Sequence, residues 1–123
     1  GTHKKEQLLW QQAGAEPVGE WYLQVGQGMG KTLQIAGETD SYTLVDRGTW
    51  LAYRANSPLQ LLVTGAEELR NPYGMIAVSA ARYPHVNHDA ATRLIQWFQS
   101  GQAHALIAGY RVDGEQLFYP VGD

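Results

Sequence analysis

Cysteine is absent from the 123 residues, which excludes disulfides and thiolate metal sites and leaves the redox compartment open. No apolar run approaches the ~18 residues that a membrane-spanning helix needs. No secretory leader is visible, so any targeting segment would lie outside these residues. Basic clusters are also missing. The densest is His3-Lys4-Lys5 followed by Glu6, and the formal net charge is −3. The chain therefore has no general attraction for nucleic acid or an anionic membrane, and no nucleic-acid partner is expected. Internal repeats and low-complexity segments are lacking as well. What is there is a 44% hydrophobic composition with four Trp and seven Tyr, which supports a core and argues against disorder. The length suits one ordinary domain or a piece of a larger one.

Glycine is concentrated in Val25–Gly37, VGQGMGKTLQIAG. This looks like a phosphate loop opening a helix, but the spacing is wrong. G-x-x-x-x-G-K-[ST] read back from Gly30-Lys31-Thr32 requires glycine at position 25, which is Val25. Gly26 is one residue too close. Gly26, Gly28 and Gly30 also fail the dinucleotide pattern G-x-G-x-x-G.

Periodicity and breakers give a coarse order of elements. Thr2 is placed to N-cap a helix over His3–Ala13, stopped by Gly14. Gly14–Glu20 is a connector and Trp21–Val25 a short extended piece. The glycine loop opens a second helix over Lys31–Gly37. Ser41–Val45 reads as a buried strand, followed by a turn and a helical turn in DRGTWLAYR. Leu59–Gly65 and Tyr73–Ala80 read as strands. A helix spans His88–Ser100, ended by Gly101, and QAHALIAGY is a second short helix. YRVDGEQLFYP is a hairpin turning at Asp113-Gly114, a dipeptide suited to positive φ. Alternating strands and helices give an α/β fold class.

The residues that could carry chemistry are few. His85 and His88 straddle a Pro84/Asn87 break, His3 and His104 are isolated, and no H-x-x-x-H pair occurs; no metal or cofactor is expected. G-x-S-x-G is absent, and nothing pairs Ser41, Ser57, Ser79 or Ser100 with a histidine, so no catalytic residue is assigned. Asp46-Arg47 is either a structural ion pair or cap, or a pair that reaches a ligand. Two helices open on small or hydroxyl residues: Gly1-Thr2, and Gly28-Met29-Gly30 with Thr32. Such starts are ordinary capping and tight turning, or else an anion site. A helix N-terminus offers unpaired N–H groups and about half a positive charge, and glycine lets the backbone approach a ligand closely.

GTHKKE…LW, GEWYLQVGQGMGKTLQIAGE…YTLVDRGTWLAY, the LLVTG, NPYGMIAVS, YPHVN and LIQWFQS stretches, and the closing LFYP together resemble the second half of the periplasmic tungstate-binding protein family. The resemblance covers essentially the whole chain. It implies part of a type II periplasmic-binding-protein fold, in which two Rossmann-like α/β lobes close on an oxyanion at a hinge. On that basis residues 1–56 belong to the second lobe, 57–80 form hinge strands, and 81–123 carry C-terminal helices and a hairpin returning toward the first lobe. The family's TTTS stretch is not present. Of its SRGDxSGTH motif only Gly1-Thr2-His3 is present, with the arginine and serine expected upstream of residue 1. The chain thus reads as a C-terminal portion.

The function implied is an extracytoplasmic, membrane-associated receptor, periplasmic or extracellular, that captures tungstate or molybdate for an ABC-transporter permease. Thr2, Gly28, Met29, Gly30, Thr43 and Arg47 are the implied anion-binding residues. A further expectation is that the chain pairs with a missing N-terminal half or self-associates, leaving Leu94, Trp97 and Phe98 partly exposed. Two other readings stay open. One is a small phosphate- or nucleotide-handling enzyme using Gly26–Thr32, which needs Lys31 and a Mg²⁺ carboxylate and which Val25 opposes. The other is an anion-sensing regulatory domain.

Overall fold

The first turn of the chain departs from expectation. In the computed structural model, which describes residues 1–121, α1 spans Thr2–Gln12 with Gly1 as its N-cap. Lys5 N–H donates to the Gly1 carbonyl at 3.1 Å. Gly1 is therefore the half-helical residue, and Thr2 falls one place inside the helix and cannot cap it. Gly14 at φ +65° ends this segment.

The chain divides into two units, Gly1–Asn71 and Pro72–Asp123. In the first unit, α2 spans Met29–Glu38, starting two residues before Lys31. Gly28 sits extended at φ −66°, ψ 162° as its N-cap, so the loop glycines enter the helix itself. Leu33 and Ala36, three apart on one face, are buried. A Cβ on Gly30 would stand 2.6 Å from Tyr53 Oη, and one on Gly37 3.0 Å from the Pro58 ring. Both glycines thus admit neighbouring rings against α2. Helix α3, Arg47–Tyr53, is capped by Asp46, whose carboxylate accepts from Thr49 N–H at 2.9 Å and Thr49 Oγ1 at 2.7 Å. It packs on α2, buries Leu51 and runs on into a 3₁₀ turn, Arg54–Asn56.

In the second unit, α4 spans His88–Phe98 with Asn87 as its cap, and α5 spans Gly101–Gly109 with Ser100 as its cap. Gly101 therefore begins α5 and does not terminate α4. Ser100 Oγ accepts from Ala103 N–H at 3.2 Å, and that cap cuts the first helix two residues short. Ala103 is fully buried. The hairpin forms as expected, with β1 (Arg111–Val112) antiparallel to β2 (Glu115–Gln116) and Arg111 opposite Gln116. Asp113 and Gly114 lie at φ +49° and +77°, the pair of positive values that a two-residue type I′ turn requires. Phe118 lies 5.8 Å from Tyr73, edge to face, and 6.3 Å from Tyr110.

The expected strands Ser41–Val45, Leu59–Gly65 and Tyr73–Ala80 are not strands. Among the described residues the hairpin is the only sheet. Ser41–Val45 is only partly buried, while Leu62 is 68% and Ile76 92% exposed. A strand has no internal hydrogen bonds, and a β-rich sequence becomes one only where a neighbouring backbone meets it. The expected partial exposure of Leu94 and Trp97 is found, with Phe98 intermediate.

Candidate functional site

The first turn of α2 is built from Gly28, Met29 and Gly30, and no side chain caps it. The Thr32 hydroxyl lies against the loop's own backbone, donating to the Gly28 carbonyl at 3.1 Å, with the Gln27 carbonyl at 3.5 Å. Helix α1 likewise lacks a side-chain cap, whereas α3, α4 and α5 each have one, from Asp46, Asn87 and Ser100. The two uncapped helices are the two whose starts the sequence marks out. Their leading N–H groups, with the positive end of the helix dipole, are directed at whatever lies before the helix.

A cleft of about 50 Å³ runs beside α2, lined by Leu23 and Val25 from the preceding segment, Thr32, Ile35, Ala36 and Thr39 from α2 and its end, and Ser41, Tyr42 and Thr43 from the segment that follows. Thr39 Oγ1 and Ser41 Oγ are 2.9 Å apart and satisfy each other. Of the residues expected in the site, Gly28–Gly30 form a single turn, and Thr43 shares the cleft with Thr32. Thr2 and Arg47 open α1 and α3 and do not line that cleft. Among the described residues no three His, Cys, Asp or Glu side chains converge as a metal site.

Two residues that the sequence does not mark out make contacts around these helix starts. Tyr53, 23 residues beyond Gly30, brings its hydroxyl to the first turn of α2, and only the packing of α3 on α2 reveals it. Glu6 appeared to be the end of a basic patch. In the structure it accepts hydrogen bonds from Trp10 Nε1 at 2.8 Å and Tyr22 Oη at 2.7 Å, and lies 3.0 Å from His3 Nδ1. Its spacing to Trp10, i to i+4, was the available signal.

Burial pushes the Glu6 carboxyl up, but the hydrogen bonds from Tyr22, Trp10 and His3, with the charge of His3, outweigh it and leave Glu6 below its ordinary 4.5. The hydrogen bond to Glu6, helped by burial, raises the Tyr22 phenol above 10. The signs follow by linkage. Glu6 contributes stability that is present above 4.5 and lost as pH falls through its lowered value. Tyr22 contributes stability that is present below 10 and lost as pH rises through its raised value. In the whole protein, Glu6→Gln is therefore expected to flatten the acid limb of a stability profile measured by urea denaturation from pH 3 to 6. An unchanged acid limb would show that the carboxylate carries no such linkage.

The tungstate-binding protein TupA of Peptoclostridium acidaminophilum is 38% identical over 122 residues, 98% of this chain and 43% of that protein. The crystal structure of the tungstate ABC transporter from Geobacter sulfurreducens matches at 43% identity and a TM-score of 0.77, over 89% of this chain and 47% of that one. The tungstate-binding protein TupA of Desulfovibrio alaskensis G20 matches at 36% identity and a TM-score of 0.78, over all of this chain and 52% of that one. The chain spans less than half the length of the curated relatives it matches. A family model described as a PBP superfamily domain matches residues 1–102. With most of its length under that model and solved relatives sharing its fold, the chain belongs to the PBP superfamily.

Proposed function

We propose that the chain is part of an extracytoplasmic solute-binding protein, periplasmic or extracellular, that captures tungstate or molybdate and delivers it to the permease of an ABC importer. The observation that carries this reading is the uncapped glycine turn Gly28–Gly30 at the start of α2, in a chain whose named relatives bind tungstate. A tetrahedral dianion stripped of water needs several donors and no protonated competitor. Backbone N–H groups and hydroxyls supply such donors, and charge-assisted bonds of this kind are the strong ones. The donors proposed are the backbone of Gly28, Met29 and Gly30, the hydroxyls of Thr2 and Thr43, and the Arg47 guanidinium. The backbone N–H groups and the guanidinium cannot accept from the O–H of a protonated phosphate, which disfavours it against a full dianion, and cavity size separates tungstate from sulfate.

Residues 1–56 are proposed to belong to one lobe, 57–80 to the hinge, and 81–123 to a segment returning toward the other lobe. The remainder of the protein would supply both further oxyanion ligands and the strands that pair with segments 59–65 and 73–80. A phosphate-handling enzyme built on Gly26–Thr32 is less well supported, because Val25 stands where a phosphate loop requires its first glycine. A sensing domain would use the same anion site and differ only in what is attached to it. Calorimetry of the whole protein with tungstate, molybdate, sulfate and ATP tests the proposal. Saturable binding of the first two is expected; ATP binding with no response to tungstate would reject it.

A further inference from the structure

We infer that Glu6 is a positioning residue of this anion site, the tie that holds the start of α1 and the glycine turn of α2 in one geometry. The inference rests on the oxyanion reading above. Glu6 lies one turn into α1, in the same first turns as Thr2. Its Oε1 accepts from Tyr22 Oη at 2.7 Å and from Trp10 Nε1 at 2.8 Å, while Oε2 pairs with His3 Nδ1 at 3.0 Å. Among the described residues, the Tyr22 bond is the hydrogen bond that connects α1 to any residue beyond Ala15. An edge-to-face contact of Trp10 with Trp21, at 5.7 Å, reinforces it.

Tyr22 in turn begins the short run that leads to Gly28. Two residues of that run, Leu23 and Val25, line the same cleft as Thr32 and Ile35 of α2. Glu6, together with the Trp10–Trp21 contact, thus joins α1 to the segment that leads into the glycine turn. Glu6 is unsuited to being a ligand itself, since a negative charge near a dianion is repulsive. Both its oxygens are already occupied by donors, so its contribution is to geometry. Oxyanion sites depend on donors held within a fraction of an ångström, and small misplacements cost orders of magnitude in the interaction they serve.

Tyr22→Phe removes the tie and keeps the ring. Glu6→Ala removes it together with the Trp10 and His3 partners. Glu6→Gln retains an amide oxygen that can accept from Tyr22 and Trp10, and serves as the conservative rescue. In the whole protein, the two disruptive variants are expected to weaken tungstate binding by roughly five- to thirtyfold, the worth of one or two hydrogen bonds. They are also expected to speed amide exchange at Met29–Lys31 in the absence of ligand, with Glu6→Gln staying within about threefold of wild type. Should Glu6→Ala fail to fold, Tyr22→Phe carries the test. Wild-type affinity in Tyr22→Phe, even at lowered thermal stability, would reduce Glu6 to a fold-stabilising residue and overturn this inference alone. A wild-type protein that does not bind tungstate would remove the oxyanion reading and this inference with it.

Discussion

Purified by itself, the 123-residue chain is expected to sediment as a species larger than a monomer, to bind the dye ANS, and to melt without a sharp cooperative transition. The reason is how little it buries. Leu33, Ala36, Leu51 and Ala103 are the buried hydrophobic residues, while the accessible surface totals 9693 Å². Two separate, fully compact units of these lengths would expose roughly 7,800 Å². The surplus is comparable to the area buried in an ordinary stable protein–protein interface, about 1,600 Å². Much of it is apolar: Leu61, Leu62 and Val63 in the first unit, and Tyr73, Met75 and Ile76 in the second, are each at least 47% exposed. Patches of this kind are covered in functioning proteins, and a net charge of −3 offers little repulsion against association. Supplying the rest of the protein as a second chain should convert the assembly into a soluble one-to-one complex. Sedimentation as a monomer with a cooperative transition would show that the chain closes its own core.

The second large effect is expected from Leu33→Ala. Helices α2 and α3 pack together, and each contributes one buried leucine, Leu33 at 2% and Leu51 at 3% exposure. Truncating a buried leucine in a rigid surround costs about 2–5 kcal/mol, the transfer term plus the cavity. That is a large share of the 5–15 kcal/mol by which an ordinary domain is stable. Leu33→Ala is thus expected to lower the urea midpoint of the whole protein by an amount worth about 3 kcal/mol. Leu94→Ala, at a site 55% exposed within this chain, should cost far less unless the rest of the protein covers it. Because Leu33 stands in the helix whose first turn is proposed to hold the oxyanion, tungstate at a hundredfold excess over its Kd should restore about 2.7 kcal/mol. A loss below 1 kcal/mol would mean that the α2–α3 contact is not the centre of this unit.

The helices were legible where a local signal was sufficient. The Pro84/Asn87 break ahead of an apolar stripe, and Asp113-Gly114 between short β-prone runs, led to the start of α4 and the turn of the hairpin that the structure contains. Local signals misled where two of them competed. Ser100 and Gly101 read as the end of one helix, yet the hydroxyl of Ser100 caps the next. Thr2 looks like a cap because threonine often is one, but Gly1 takes the position once Lys5 bonds to its carbonyl. The glycine turn was located correctly at α2, although half of the reason for its glycines was not visible. Gly30 gives the Tyr53 ring room, a demand that comes from α3 and not from any ligand.

The sequence by itself determined the helices, their approximate limits, the hairpin, and the family to which the chain belongs. Each depends on residues near one another or on a run of identities long enough to be specific. Tertiary structure alone decided which β-prone segments are strands, why Gly30 and Gly37 lack side chains, and that Glu6 is a shared acceptor and no part of a basic face. Those outcomes depend on which backbone or ring arrives from elsewhere in the chain. A strand without a neighbour has unpaired amides, a glycine's clearance belongs to the residue that fills it, and a carboxylate's role is set by its donors.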